Sequence, residues 1–227
     1  MDDPALDAGE HLDALRALAR INAVSRTAAQ LAAGVRRLVA AKRPAAAPIH
    51  VVDVACGGGD VTVDLARRLG SGYRVTGIDV SPRAIARATE HAARVNITTA
   101  HFQACDVLAS ACPGCDAVVS SLFLHHLDDG PAGAVLRGMG AAASLGGVVS
   151  DLVRSGRGLA LAYLATYALT ASRVARVDGP RSVRAARTLD EYRALVVDAG
   201  LREATVRRTW PERVVIEWSA AAPEAQP

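Results

Sequence analysis

The stretch from Val51 to Asp60 constrains the fold of this chain more than any other. Its β-branched run, residues 51–54, leads into three glycines, residues 57–59, and an apolar helical pattern follows over residues 61–69. This order predicts a strand, a tight turn and a helix. Glycines allow the backbone to approach a ligand closely, and the free N–H groups at the start of a helix face whatever is bound. The stretch therefore predicts a ligand-binding turn.

A second predicted strand, residues 73–79, ends in Asp79. An acid about 20 residues after a glycine-rich turn, at the end of the second strand of a βαβ unit, is placed to accept hydrogen bonds from ribose hydroxyls. The two stretches together predict a nucleoside site. Both NAD(P) and S-adenosylmethionine (SAM) are bound in this way.

Two details favour SAM over a dinucleotide. The glycines do not have the spacing G-x-G-x-x-G, and Asp53 lies inside the first strand just before the turn. Its carboxylate would repel a pyrophosphate and attract the α-ammonium of a methionyl group. An NAD(P)-dependent oxidoreductase would also need a Tyr-x-x-x-Lys motif, and Lys42 is the only lysine of the chain.

These residues resemble the class I SAM-dependent methyltransferases. Residues 53–59 match the first motif of that family, acid-x-Gly-x-Gly-x-Gly, except that Ala55 replaces the first glycine. The second motif of the family is similar to residues 77–82, and its adenine-contacting acid to residues 105–107. Its fourth strand is similar to residues 116–122. The resemblance implies SAM as cofactor and S-adenosylhomocysteine (SAH) as product. It implies cofactor contacts from Asp53, Ala55, Cys56, Gly57, Gly59, Asp79, Val80, Cys105, Asp106, Val107 and Ser120.

The rest of the chain fits an α/β fold. Strands are predicted at 49–55, 73–79, 98–104, 115–120, 146–152, 203–210 and 213–219, and core helices at 60–69, 82–94, 131–143 and 188–199. Such alternation predicts a parallel sheet with helices on both faces and a ligand site at the carboxyl ends of the strands. The resemblance implies a Rossmann-like, mostly parallel seven-stranded sheet with an antiparallel last strand.

Two further segments are expected beside this core. Residues 1–43 form a predicted N-terminal helical cover, and the methyltransferase domain spans 49–227 with a helical lid insertion near 156–187. Arg20, in a polar patch that includes Asn22 and Ser25, is a candidate contact for the SAM carboxylate or the substrate; the alternative is a helix–helix corner.

His125 and His126 follow the fourth strand and are the candidate catalytic residues. An imidazole titrates near neutral pH and can remove the proton of an acceptor hydroxyl. The alternative is that these histidines only shape the loop or pack on the methionyl end of SAM. The sequence does not indicate which of the two histidines has the catalytic role.

The last third of the chain is expected to bind the acceptor. Asp151 and Arg154 end the fifth strand, and the apolar helix predicted within 158–172 carries Tyr163 and Tyr167; all four are candidate substrate-binding residues. Because this helix is apolar on nearly all sides, it is predicted to cover an apolar pocket. A membrane-surface helix is the less favoured interpretation. The arginines from 173 to 187 suit an anionic acceptor, a carrier protein or a solvated loop.

Composition excludes several classes of function. A net charge of +3 is too small to indicate nucleic acid binding. Cys112 and Cys115 have C-x-x-C spacing but precede a strand and have no second ligand pair, so a turn is predicted and no metal site. The acidic first ten residues lack a signal-peptide pattern, and the longest uncharged apolar run is shorter than the ~20 residues of a spanning helix. A cytoplasmic protein without stable membrane insertion is expected.

The predicted function is methyl transfer to a small, largely apolar, aromatic acceptor. O-methylation of a phenolic or polyketide-like hydroxyl in secondary metabolism is favoured. C-methylation of a quinone-type ring is the alternative, because the motifs also resemble the ubiquinone and menaquinone methyltransferases; a non-catalytic SAM-binding protein is the alternative from another class. Residues 120–123 replace the Asn/Asp-Pro-Pro-aromatic signature of N-methylating members, which disfavours protein and nucleic acid acceptors. A homodimer is allowed.

Overall fold

The computed structural model describes residues 25–42, 48–169, 173–201 and 203–220. Seven strands form one sheet: β1 (Ile49–Val54), β2 (Tyr73–Asp79), β3 (Ala100–Ala104), β4 (Cys115–Ser121), β5 (Ala143–Leu152), β6 (Thr205–Thr209) and β7 (Arg213–Ser219). The helices are α1 (Thr27–Lys42), α2 (Asp60–Leu69), α3 (Pro82–Arg94), α4 (Asp129–Ala142), α5 (Gly156–Leu169), α6 (Arg173–Ala185) and α7 (Leu189–Asp198). A short 3₁₀ turn covers Leu124–His126.

The strand order is β3-β2-β1-β4-β5-β7-β6. All neighbouring strands are parallel except β7, which is antiparallel to both β5 and β6. The central strand β1 is rich in valine because both faces of a parallel sheet are covered; Val51, Val52 and Val54 are fully buried. The predicted fold class is confirmed.

Helices cover both faces of the sheet. On one face α1, α2 and α3 contribute Leu31, Leu65 and Ala92 to a common core, and on the other α4 and α7 contribute Leu136 and Tyr192. Helix α1 packs against β5, where a Cβ added to Gly34 would lie 2.6 Å from a methyl group of Val148. Residues 27–42 are thus part of a core layer. The rest of the predicted N-terminal cover, residues 1–24, lies outside the described residues.

Local signals set most element boundaries. Ser81 caps α3 by accepting a hydrogen bond from the N–H of Ala84, at 3.2 Å, and Pro82 opens the helix as its spacing predicts. Helix α4 begins at Asp129, two residues before its predicted start. The arginine-rich segment after α5, for which a solvated loop was one prediction, forms helix α6. In the described part of the chain, no helix is long and apolar enough to cross a membrane.

Candidate active site

The turn between β1 and α2 opens the site. Gly57 and Gly59 have φ values of 53° and 77°, in the left-handed region that favours glycine. A Cβ on Gly59 would lie 2.6 Å from the Cβ of Ala88 and 3.0 Å from the ring of Phe102. A Cβ on Gly57 would meet no atom of the residues that the structure describes within 4 Å. Gly59 therefore lets α3 and β3 pack against the turn, and Gly57 borders open space at the edge of the sheet.

Asp79 connects this turn to the end of β2. Its Oδ2 accepts a hydrogen bond from the N–H of Gly57 at 2.8 Å, and its Oδ1 accepts one from the N–H of Ser81 at 2.9 Å. Each carboxylate oxygen has two lone pairs, so each retains an acceptor position for a ribose hydroxyl. Val80, which follows, is 64% exposed and offers an apolar surface beside the carboxylate.

Asp53 is a carboxylate buried at the floor of the turn, with an exposed fraction of 1%. Its Oδ2 accepts a hydrogen bond from the Thr62 hydroxyl at 2.6 Å. Its Oδ1 is buried and has no hydrogen-bond partner among the described residues. Burial raises the pKa of Asp53 to about 7, the Thr62 hydrogen bond opposes this shift, and the nearby charge of Asp79 adds to it. A buried acceptor of this kind suits a cationic ligand group.

The other predicted cofactor residues meet at the same edge of the sheet. The N–H of Cys105 donates to the carbonyl of Asp79 at 2.9 Å, and the carboxylate of Asp106 accepts from the N–H of Leu108. Val107 follows Asp106 and packs against the core. Beneath the turn, the Ser120 hydroxyl donates to the carbonyl of Val54 at 2.9 Å, which joins β4 to β1.

The residues flanking the first glycine also lie in this turn. Ala55 has a φ of 57°, in the left-handed region. The glycine that the family motif has at this position would adopt this conformation with less strain than alanine. Cys56 is mostly buried, and burial strongly raises the pKa of its thiol, so it is not a thiolate nucleophile. All four cysteines are free, and the described residues hold no cluster of three metal-ligating side chains.

His125 and Asp151 form a buried pair at the ends of β4 and β5. Nδ1 of His125 lies 2.6 Å from Oδ1 of Asp151, and the backbone N–H of His125 donates to Oδ2 at 3.2 Å. The two side chains are 3% and 0% exposed. With Nδ1 directed at the carboxylate, Nε2 is the ring nitrogen left to accept a proton. His126 is exposed and its ring lies 4.1 Å from that of His125.

Asp151 stays ionised although it is fully buried. Burial acts to raise its pKa, but the charge and hydrogen bond of His125, the N–H of Leu152 and the charge of Arg213 outweigh burial and lower the pKa. Burial lowers the pKa of Arg213 to about 10, and the guanidinium donates to the Ser25 hydroxyl at 3.0 Å. The negative charge of Asp151 beside His125 is therefore stabilised by contacts within the fold.

Arg187 holds the turn that carries the histidines. Its buried guanidinium donates to the carbonyls of Leu124 and Leu127 at 2.8 and 2.7 Å, and to the carboxylate of Asp129 at 2.8 Å. Sequence analysis did not assign Arg187 to the site. It belongs to a run of similar arginines, and no local signal separates it from them.

A cavity of about 170 Å³ lies between the histidines and helices α5 and α6. Its lining is mostly apolar and comes from the β4 and β5 ends, α5, α6 and the β6–β7 turn. The lining residues include Leu122, His125, His126, Leu152, Gly158, Leu161, Ala162, Ala165, Thr166, Ser182, Val183, Pro211, Glu212 and Arg213. A cavity of this composition suits an apolar ligand next to the His125 ring.

The predicted substrate-binding residues are distributed differently. Asp151 lies behind His125, and Arg154 pairs with Glu191 at the surface. Tyr163 and Tyr167 are 41% and 65% exposed and are absent from the cavity lining, to which α5 contributes Leu161 and several small residues. Arg20 lies outside the described residues. A role for these side chains in substrate binding stays a prediction.

Part of the chain matches a known family model. Residues 51–147 match the family model described as "Methyltransferase domain". This stretch of the chain is similar to a methyltransferase domain. The same stretch holds the glycine turn, Asp79, Asp106 and the two histidines. The resemblance to class I SAM-dependent methyltransferases and the choice of SAM as cofactor are thereby confirmed. Among curated proteins, no sequence matches the chain.

Solved structures of SAM-dependent methyltransferases share the fold of this methyltransferase domain. Human N-acetylserotonin methyltransferase in complex with SAM is 19% identical, with a TM-score of 0.65 over 91% of this chain and 55% of that one. The O-methyltransferase NcsB1 from neocarzinostatin biosynthesis, with SAM and 2-hydroxy-5-methyl naphthoic acid, is 22% identical, with a TM-score of 0.57 over 77% and 49%. Magnesium protoporphyrin IX methyltransferase from Synechocystis PCC 6803, with bound SAH, is 18% identical, with a TM-score of 0.58 over 96% and 90%. The chain spans about half the length of the first two.

The residues of the methyltransferase domain fit SAM. The unpartnered Oδ1 of Asp53 suits the α-ammonium, the remaining acceptor positions of Asp79 suit the ribose hydroxyls, and the open space at Gly57 admits the ligand. Val80 and Asp106 at the next two strand ends would lie beside the adenine.

Proposed function

We propose that this chain transfers a methyl group from SAM to a hydroxyl of a small, largely apolar, aromatic acceptor. The observation that carries the proposal is the pairing of His125 with the buried, ionised Asp151 at the wall of an apolar cavity. A cytoplasmic location and a role in secondary metabolism belong to the same proposal.

Each residue has a distinct task in this proposal. When bound, SAM supplies an electrophilic methyl group on a sulfonium. His125 takes the proton of the acceptor hydroxyl at Nε2 as the oxygen is methylated, and it becomes an imidazolium. Asp151 fixes the ring with Nδ1–H towards the carboxylate and stabilises the positive charge that develops. The cavity wall holds the acceptor oxygen in line with the methyl group and excludes water.

Two observations support an aromatic acceptor. Most of the cavity surface is apolar, although the lining also includes the two histidines, Thr166, Asp178, Ser182, Glu212 and Arg213, so it favours a largely apolar molecule with a polar group. NcsB1, which shares the fold, was determined with a naphthoic acid that carries a hydroxyl. By this analogy the first acceptors to try are hydroxynaphthoic acids and related phenols.

The test is methyl transfer by the purified chain with SAM and a panel of hydroxynaphthoic acids, phenols and hydroquinones. We expect SAH formation with at least one phenolic acceptor and a product whose new methyl group is bonded to oxygen by NMR. A methyl group on ring carbon would favour the C-methylating alternative. SAM binding without turnover of any acceptor would favour the non-catalytic alternative.

A matched pair of variants connects the reaction to the site. His125→Ala should lose turnover and His126→Ala should retain most of it, because only His125 is paired with Asp151. Both variants should bind SAM as the wild type does. Equal turnover in His125→Ala would contradict the proposed base.

A further inference from the structure

The lid helix α5 is apolar on the face that it turns to solvent as well as on the face that lines the cavity. Leu161, Leu164 and Tyr167 are 36%, 67% and 65% exposed, and their spacing of three residues places them along one side of the helix. Ala160 and Ala168 are exposed on the same side. Val177 of the adjacent α6 is 52% exposed. We name Leu161, Leu164, Tyr167 and Val177 the outer stripe.

The segment that carries the outer stripe is rich in arginine. Residues 154–187 contain seven arginines and a single acid, Asp178. Arg154 and Arg187 are paired with acids outside this segment. Arg157, Arg181 and Arg184 are exposed and make no ion pair with a described residue.

Two of the arginines contact the exposed tyrosines. The guanidinium of Arg176 lies 4.6 Å from the ring centre of Tyr167, and Arg184 donates to the Tyr163 hydroxyl at 3.1 Å. In the sequence Arg176 and Arg184 follow α5. The packing of α6 on α5 brings Arg176 beside Tyr167 of the outer stripe and Arg184 beside Tyr163, an arrangement that sequence spacing does not reveal.

We propose that the outer stripe docks on an anionic phospholipid membrane surface. Exposed leucine, tyrosine and valine would enter the boundary between headgroups and acyl chains, and the arginines would contact the phosphates. A second copy of the chain is the less suitable occupant: a two-fold contact would bring Arg157 and Arg181 of each copy together with few acids to neutralise them.

The proposal goes beyond methyl transfer and does not depend on it. Leu161, Ala162, Ala165 and Thr166 of α5 line the cavity, and Leu161 borders both the cavity and the outer stripe, so one helix would separate the membrane surface from the candidate acceptor site. An apolar acceptor dissolved in lipid would then have a short route into the cavity. Docking would be peripheral, since α5 has 14 residues and a spanning helix needs about 20.

The test is co-sedimentation of the full chain with two kinds of vesicle, phosphatidylcholine alone and phosphatidylcholine mixed equally with phosphatidylglycerol. We expect binding to the mixed vesicles that weakens with salt, and little binding to phosphatidylcholine alone. A double variant Arg157→Gln, Arg181→Gln should bind about 25-fold more weakly, at about fivefold for each basic residue beside an anionic surface. A double variant Leu164→Ser, Tyr167→Ser should lose at least about tenfold.

Matched controls lie elsewhere on the surface. Val197→Ser removes an apolar side chain that is 55% exposed on α7, and Arg207→Gln removes an exposed charge on β6. Both should bind like the wild type, and all variants should melt within a few degrees of it, which shows that they fold. Equal binding to both vesicles, or binding unchanged by the two double variants, would overturn the proposal. If the wild type does not bind vesicles but forms a dimer, and Leu164→Ser dissociates that dimer, the outer stripe would instead be the contact with a second copy.

Discussion

His125 and Asp151 lie 26 positions apart in the sequence and 2.6 Å apart in the structure. Their strands, β4 and β5, are parallel neighbours with Ser121 opposite Ser150, so both residues leave the sheet at the same edge. A histidine whose ring is oriented by a buried carboxylate is suited to act as a general base, the role that we propose for His125.

Replacement of Asp151 by Asn should lower kcat far more than it changes KM. The amide keeps the shape of the side chain but not the charge that orients and stabilises the protonated ring. We expect a loss of about 10²–10⁴-fold in turnover, the range for general-base catalysis, with SAM affinity retained. Steady-state kinetics on the acceptor found in the screen gives the result. A kcat within a factor of a few of the wild type would contradict the assigned role.

Asp53 should make the stability of the SAM-free protein depend on pH. Its pKa in the folded state, about 7, exceeds its ordinary 3.8, so the folded protein binds more protons than the unfolded one between these values. The free energy of unfolding should therefore fall as pH rises from about 4 to about 7. Asp53→Asn removes this dependence and should stabilise the SAM-free protein above pH 7 by up to about 4 kcal/mol, at about 1.4 kcal/mol for each pKa unit.

The same Asp53→Asn variant should bind SAM less tightly. The partner of the α-ammonium is lost, and a hydrogen bond to a charged group contributes about 1.5–3 kcal/mol, or about 10–150-fold in affinity. Denaturant unfolding across pH and calorimetric titration with SAM check the two effects. A variant that is less stable than the wild type at pH 8 would argue that the ionised Asp53 has a partner in the SAM-free protein.

Gly57→Ala and Gly59→Ala should separate ligand binding from folding. Both positions have positive φ, which costs an L-residue about 1–2 kcal/mol. At Gly59 the new Cβ would also collide with Ala88 and Phe102, so the total loss should reach about 2–5 kcal/mol. At Gly57 the methyl group meets open space, and the larger effect should be weaker SAM binding. Thermal unfolding and calorimetry on both variants test this contrast.

Arg187→Met should disturb the turn that carries His125. The change leaves the carbonyls of Leu124 and Leu127 without their donor, and we expect a loss of about 2–4 kcal/mol in stability. The remaining folded protein should show a lower kcat with little change in SAM affinity. Arg154→Met, which removes an exposed arginine paired with Glu191, is the matched control and should cost less than about 1 kcal/mol.

The sequence predicted those parts of the site that have local signals. Asp53, Gly57 and Asp79 each stand at the end of a valine-rich or alternating strand, and the topology rules for α/β sheets bring such ends together. The pairing of His125 with Asp151 depends on which strands are neighbours. Asp151 was therefore predicted as a substrate residue.

Helix α5 shows that hydrophobic periodicity does not indicate the orientation of a helix that is apolar on all sides. Helix α5 is apolar all round, so its sequence does not indicate which side faces the cavity, and the large tyrosines Tyr163 and Tyr167 were assigned there. In the structure Leu161 and several small residues of α5 line the cavity, and the tyrosines are exposed. Arg187 was missed for a related reason, because only its tertiary contacts distinguish it from Arg181 and Arg184.

The most direct test of the central claim is calorimetric titration of the purified protein with SAM, SAH and NAD, repeated on Asp79→Ala. We expect SAM and SAH to bind and NAD not to bind. The variant should lose about 1.5–3 kcal/mol of binding free energy with the ribose contacts. Binding of NAD, or SAM binding indifferent to the loss of Asp79, would contradict both the cofactor and the placement of its site.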